Sequence, residues 1–327
     1  MYGLALVPIM PPSPTLRSSG DLLADRRYAY AEAALKEGDL RVAAELAEQC
    51  LERAPSFAAA HALLGRARAA LGEHEAALAA LARALDCDPE DALGVRIDLA
   101  RLGALSPEDA IGAGYVRALF DDYAGTFDKQ LVKNLQYRGP DLLRAAVRRA
   151  FAADGRKLWA KRVLDLGCGT GLVGQAFAGS CGRLEGVDLS PRMLAAARKT
   201  RLYDRLHEGD FLGFLRQQPQ RSADLVLAAD VFVYLAALDE VFAEIGRVLA
   251  PGGFFAFTVQ AHGGEGVYLG ADSRYAHSEG YLRATAEQAG FSVAQFEAVS
   301  TRQDRGVDVP GFLMVLEQPG GSARTKA

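Results

Sequence analysis

The sequence predicts two domains of different class: packed helices first, then an α/β domain on a doubly wound, mostly parallel sheet. Three observations carry this. The chain has 327 residues, which suggests about two domains of ordinary size. From about Asp25 to Asp91 it is alanine-rich, helical in its apolar spacing and almost free of β-branched residues. From about Val163 onward, short runs of Val, Leu and Phe alternate with helical patterns, the signature of βα units.

Composition narrows the function classes. Half the residues are hydrophobic, 24% are charged and the mean hydropathy is +0.02, ample apolar material for buried cores. The net charge is −4, so no global positive field draws the chain to nucleic acid or an anionic membrane. The charge is unevenly shared: residues 1–110 hold 11 basic and 17 acidic residues, the remainder 26 and 24. Cys50, Cys87, Cys168 and Cys181 lie far apart without a CxxC pair or a histidine cluster. Reduced thiols, no metal site and a cytoplasmic location are the expectation.

Residues 1–23 read as a flexible N-terminus. The run MYGLALVPIM is too short to span a bilayer, lacks a basic leader and soon meets three prolines. Residues 24–110 contain a repeat. Gly38 and Gly72, Ala43 and Ala77, and Pro55 and Pro89 each pair at a spacing of 34 residues. Glycine at the inter-helix turn, small residues where helices cross and proline after the second helix resemble the tetratricopeptide repeat. Gly65 and Leu64 fit its second unit, where the first has Ala31 and Tyr30. The segment from Leu93 to Ala104 is expected to cap the array. The resemblance implies a peptide-binding or self-association module, and Cys50 and Cys87 read as small packing residues.

Residues 111–160 form a lead-in that is dense in aromatics: Tyr115, Phe120, Tyr123, Phe127 and Tyr137. Tyr123 and Phe127 stand four apart, on one helical face. The basic residues from Arg144 to Arg162 read as a solvated helix face.

Residues 161–318 carry the chemistry, with 319–327 as a flexible tail. In Val163-Leu-Asp-Leu-Gly-Cys-Gly-Thr-Gly171 a buried strand (162–166) runs into a glycine turn and a helix beginning near Thr170. Gly167, Gly169 and Gly171 let the backbone pass close to a ligand, and the helix start offers free N–H groups. The next strand (184–187) ends at Asp188, where a carboxylate can accept both hydroxyls of a ribose. These features point to a nucleoside-containing cofactor.

Two cofactors compete. Gly169-Thr-Gly-Leu-Val-Gly174 spells GxGxxG with an acid 19 residues after its first glycine, a nicotinamide fingerprint and hence an NAD(P)-dependent oxidoreductase. Against it, Asp165 at the strand end would repel a pyrophosphate but meet an ammonium. Gly209-Asp210-Phe211 suits an adenine's amino group and ring face. SADLVLAADVFVYL and RVLAPGGFFAFTV follow in order. Together these resemble the class I S-adenosylmethionine-dependent methyltransferases of the small-molecule type, with LAPGG as the turn before the fifth strand.

That resemblance implies a Rossmann-like seven-stranded sheet with a reversed last strand (311–317) after a strand at 291–298. It implies that Asp165 and the loop Gly167, Cys168, Gly169 and Gly171 hold the cofactor's amino-acid end, and that Asp188 binds the ribose. Leu189, Met193, Asp210 and Phe211 would line the adenine pocket, with Asp230 and Val231 beneath the sulfonium. Met193 and Phe211 equally fit plain core packing. FDDYAGTFDKQL resembles a short helix folded over the cofactor, with Tyr123 in the lid and Tyr137 or Arg138 reaching the cofactor carboxylate. An inter-domain clasp is the rival reading for Phe120 and Phe127.

Methyl transfer from a sulfonium needs alignment and exclusion of water, and a base only for an acceptor protonated at neutral pH. Asp230-Val-Phe-Val-Tyr234 is not the (Asn/Asp)-Pro-Pro-(Tyr/Phe) tetrad of nucleic-acid amine methylation. In the insertion Ala261–Ser278, Arg274, Tyr275 and His277 form the dense polar cluster. His277, with Tyr275 and Asp230, is the candidate catalytic group; alternatively His277 and Ser278 cap the following helix, with Ser278 as N-cap. The expected acceptor is a small molecule or a carrier-bound group. Protein methylation with the repeats as substrate receptor is the alternative.

Overall fold

The structure is a computed structural model; it describes residues 18–125, 136–304 and 306–320. The chain divides into two compact units, residues 1–122 with 271–273 and residues 123–270 with 274–327.

The first unit is helical: α1 (Leu22–Glu37), α2 (Leu40–Arg53), α3 (Ala58–Ala70), α4 (His74–Cys87) and the short α5 (Val95–Arg101). α1 begins inside the segment expected to be flexible, because Asp21 caps it by accepting from the N–H groups of Leu23 and Ala24. The two hairpins turn at Gly38 and Gly72, both left-handed, as the 34-residue spacing predicts. The core is mostly alanine, so the helices approach closely. At Gly65 an added Cβ would lie 2.6 Å from Cγ of Leu81, the crossing that requires a small residue. α5 lies within the expected capping segment. Asp91, 1% exposed, precedes it and accepts from the N–H groups of Val95 (2.6 Å) and Arg96 (3.2 Å). α6 (Ala113–Tyr123) runs to the boundary between the units.

In the second unit α7 (Gly139–Ala153) precedes β1 (Ala160–Leu166), α8 (Leu172–Ala176), β2 (Cys181–Asp188), α9 (Pro191–Thr200) and β3 (Arg205–Glu208). There follow α10 (Phe211–Arg216), β4 (Ala223–Ala228), a 3₁₀ turn (Phe232–Tyr234), α11 (Asp239–Val248) and β5 (Leu249–Ala261). β6 (Val267–Leu269), β7 (Tyr275–His277), α12 (Glu279–Gln288), β8 (Ser292–Val299), β9 (Gln303–Asp304), β10 (Val307–Asp308) and β11 (Gly311–Glu317) complete it.

The main sheet runs β3-β2-β1-β4-β5-β11-β8. The pairings from β3 to β5 are parallel, whereas β11 is antiparallel to both β5 and β8. These are the seven strands the sequence predicts, with the last one reversed. The insertion adds two more: β7 pairs parallel to the end of β5 and antiparallel to β6. LAPGG is a register shift within the β4–β5 pairing, so β5 already starts at Leu249. Alternation along β5 sends Phe255, Phe257 and Val259 into one buried cluster and Phe254 and Ala256 into the other. Strand order reverses between β1 and β4, the switch point outside whose carboxyl ends ligands bind in open α/β sheets.

Candidate active site

At that switch point β1 ends at Asp165 and Leu166, and the chain turns through Gly167, Cys168 and Gly169 towards α8. Gly167 and Gly169 have positive φ, 64° and 53°. A Cβ at Gly167 would meet Cγ2 of Val231 at 2.6 Å, whereas one at Gly169 would meet nothing within 4 Å. Gly169 is therefore the position of the loop that faces open space.

Asp188 clamps this loop. Its carboxylate accepts from the N–H of Gly169 and the N–H of Ser190, both at 2.8 Å. A carboxylate oxygen can accept more than one hydrogen bond, so anchoring the loop does not by itself exclude ribose binding.

Asp165 is 1% exposed. Its Oδ2 accepts from the Tyr203 hydroxyl at 2.7 Å, and its Oδ1 is buried without a hydrogen-bond partner. Burial pushes its pKa up to about 7; the Tyr203 hydrogen bond opposes the shift and the Asp188 charge adds to it.

A second carboxylate lies past the end of β4. Asp230 sits at φ 53°, a backbone conformation that non-glycine residues seldom hold without local support. The support is visible: Thr258 donates to Oδ1 and Thr301 to Oδ2, each at 2.8 Å. The Asp230 N–H in turn donates to the Thr258 hydroxyl at 2.9 Å. The guanidinium of Arg302, 8% exposed, lies 3.8 Å from Oδ2 and donates to Oε1 of Gln260 at 2.9 Å. Tyr137 joins this group: burial, with the Asp230 carboxylate next, raises its phenol well above the usual range. Arg138 does not point a free guanidinium here. Its N–H donates to the Thr301 carbonyl at 2.8 Å and its side chain to the Ser300 carbonyl at 3.2 Å.

The expected adenine residues divide. Leu189 is half-buried beside Asp188. Met193 is fully buried on the inner face of α9, its N–H bonded to the Ser190 cap at 3.0 Å, which is the packing reading. Asp210 is exposed and caps α10 through the N–H of Gly213 at 2.7 Å. Phe211 is half-buried and packs edge-on to Phe232 at 6.0 Å.

The polar cluster of the insertion is not an exposed base. β7 carries Tyr275 and His277 into the sheet, 1% and 0% exposed. His277 has Nε2 3.0 Å from the Leu235 carbonyl, a buried Nδ1 without a partner, and its ring stacked on Tyr281. Burial pulls its pKa down to about 4, so it is neutral at pH 7. The capping reading holds for Ser278, which accepts from the N–H of Tyr281 at 3.2 Å at the start of α12. Tyr123 is half-buried; burial raises its phenol, Arg274 opposing and Tyr234 adding. Phe127 lies outside the described residues.

Tyr203, Thr258, Thr301 and Arg302 are the site residues that sequence reasoning missed. Thr258 had a signal: it is the one hydroxyl in the apolar run Phe254–Val259, and it is fully buried. The other three lie in turns without a motif. Among the described residues no helix is long and apolar enough to cross a membrane, and no group of three His, Cys, Asp or Glu side chains is placed to hold a metal.

A methyltransferase domain family model matches residues 164–257, and a tetratricopeptide repeat model matches residues 34–101. A malonyl-[acyl-carrier protein] O-methyltransferase from Enterobacter lignolyticus is 34% identical over 130 residues, covering 39% of this chain and 47% of the relative. A dTDP-3-amino-3,6-dideoxy-alpha-D-glucopyranose N,N-dimethyltransferase from Streptomyces fradiae is 36% identical over 93 residues, 28% of this chain and 36% of the relative. The chain thus spans about half the length, or less, of these curated relatives. Among solved structures, the N-methyltransferase NodS from Bradyrhizobium japonicum WM9 in complex with S-adenosyl-L-homocysteine aligns at a TM-score of 0.47 and 18% identity. That alignment covers 62% of this chain and 98% of NodS. Residues 164–257 thus match a methyltransferase domain model and residues 34–101 a tetratricopeptide repeat model, each over less than half of the chain.

Proposed function

We propose that the protein transfers a methyl group from S-adenosylmethionine to a small-molecule or carrier-bound acceptor by direct in-line displacement. The observation that carries this reading is the buried Asp165 beside the glycine loop, with Oδ1 left without a partner and Gly169 opening onto free space. A buried acceptor atom without a donor is costly, and a ligand ammonium is the donor that relieves it. A dinucleotide pyrophosphate would instead be repelled by Asp165. The residues present therefore fit an adenosylmethionine, whose bound sulfonium supplies an activated methyl group.

In this reading Asp165 and the segment Gly167–Gly171 hold the amino-acid end, and Asp188 accepts from the ribose. Leu189 and Phe211 flank the adenine, Asp210 meets its amino group, and Met193 shapes the pocket from beneath. Asp230 and Val231 line the transfer end, where Thr258 and Thr301 fix the Asp230 carboxylate. Tyr123 and Tyr137 exclude water from that end. His277, buried and neutral, orients the Leu235 carbonyl, and proton removal from the acceptor falls to Asp230 where the acceptor needs it. Domain limits of 24–110 for the repeats, 111–160 for the lead-in and 161–318 for the catalytic domain go with this assignment.

Carrier-bound acids come first as acceptors because the Enterobacter lignolyticus relative bears the name of a malonyl-carrier methyltransferase. Protein methylation is the second reading, favoured by the acidic repeat segment, which suits a basic partner or a second copy of this chain. A cytoplasmic location goes with both. The test is labelled-methyl transfer by the full-length protein onto fractionated lysate and onto a malonyl-loaded carrier protein. Label on the carrier or in small molecules supports the first reading. Label confined to other proteins supports the second, and tight NADH binding without adenosylmethionine binding overturns both.

A further inference from the structure

Tyr203 stands in the turn between α9 and β3, and its ring fills a space kept by three glycines. A Cβ added at Gly171, Gly174 or Gly186 would lie 3.1, 2.7 and 2.9 Å from atoms of Tyr203. Close-packed atoms do not tolerate the two shorter spacings, so those glycines and this tyrosine form one fitted unit. The last glycine of the GxGxxG pattern thus accommodates the protein's own side chain.

The hydroxyl is fixed from both sides. It donates to Oδ2 of Asp165 at 2.7 Å and accepts from the N–H of Gly174 at 3.3 Å. A donor on Oδ2 favours the carboxylate over the carboxylic acid and stops the group from rotating. Oδ1, buried and without a partner, is then the atom left to receive a cation. Asp188, Cys168, Tyr137 and Tyr203 are in electrostatic contact with Asp165. None of these four carries a positive charge, so none of them offers Oδ1 the counter-ion that a ligand ammonium would supply.

We infer that Tyr203 is a positioning residue of the cofactor site: it biases Asp165 towards the carboxylate and holds it in one orientation, and so sets affinity for the ammonium-bearing arm of the cofactor. This inference rests on the adenosylmethionine reading above. It adds a residue that touches no ligand atom but decides whether the carboxylate is ready for one.

Calorimetry on the full-length protein tests it with three probes between pH 6 and 9: S-adenosylmethionine, S-adenosylhomocysteine and 5′-methylthioadenosine. The third keeps adenine, ribose and thioether but has no amino-acid arm. Tyr203→Phe keeps the ring and so the packing. At pH 7 this variant should bind the first two about tenfold more weakly, the effect of one hydrogen bond to a charged group. The pH at which their affinity is half-maximal should rise, while methylthioadenosine binding stays unchanged. In the background of Asp165→Asn, adding Tyr203→Phe should cost no further affinity. Equal weakening of all three probes, an unmoved pH midpoint, or an additive loss in the double variant overturns the role of Tyr203. Wild-type protein that binds none of the probes overturns the cofactor reading itself, and the inference with it.

Discussion

Each unit of the molecule buries an aspartate, and the two are treated differently. Asp91 in the helical unit and Asp165 in the α/β unit are both 1% exposed, and burial raises both, to about 6 and about 7. Asp91 has both oxygens filled by backbone N–H groups that open α5. Asp165 has one oxygen filled by a tyrosine and the other by nothing. Burial and a shifted pKa alone therefore do not mark a functional carboxylate. What separates Asp165 from Asp91 is the unfilled acceptor atom, and since Asp88 of the helical unit also has one, it is the open glycine loop beside Asp165 that singles it out.

The largest expected effect breaks the comparison from the Asp165 side. Asp165→Asn should weaken adenosylmethionine binding at least a hundredfold by calorimetry, since a charge-assisted pair is lost. The same variant should melt at the same or a higher temperature without ligand, because a costly buried charge is gone. Asp188→Ala should come next, costing roughly 2–3 kcal/mol of cofactor affinity through the ribose hydrogen bonds and the loosened loop. Asp91→Asn should behave oppositely to Asp165→Asn. It replaces one of two acceptors by a donor, so chemical denaturation should show a loss of about 1–2 kcal/mol, with cofactor affinity unchanged.

The smallest effect is a pH trend. The folded pKa of Asp165 lies above its ordinary value of 3.8, so the group favours folding at low pH and disfavours it as pH rises towards and through about 7. His277, lowered from 6.5 to about 4, runs the other way and costs stability as pH falls through that window. Subtracting the variant isolates the first term. The melting-temperature gap between Asp165→Asn and wild type should widen in favour of the variant from pH 5 to pH 8, and saturating adenosylmethionine should close or reverse it. A gap constant with pH would place the ionisation of Asp165 elsewhere.

Local signals in the sequence translate well into structure. The 34-residue spacing locates the glycine turns, Gly65 is small because Leu81 crosses it, and Ser278 is a cap because a hydroxyl before a helix has that use. The glycine loop and Asp188 are legible because a strand, a turn and a helix are contiguous there. His277 reads in the sequence as part of a polar cluster because its neighbours are polar; pairing of β7 with β5, a long-range event, turns it inward. Tyr203, Thr301 and Arg302 meet their carboxylates 38 to 72 positions away along the chain. No window of residues encodes such encounters, since they depend on strand order and on the exact path of turns.

The position of β11 makes the two sides of the candidate site unequal in what holds them. This strand lies between β5 and β8, so β8 joins the rest of the main sheet through β11. Thr301, two residues beyond β8, therefore depends on β11 for its place, and with it the second anchor of Asp230 and the backbone support of Arg138. The glycine loop and Asp188 instead follow β1 and β2, which pair with each other directly. A chain cut before Gly311 would keep every candidate residue named above, yet the keystone between β5 and β8 would be gone and the grip of Thr301 on Asp230 should slacken with it.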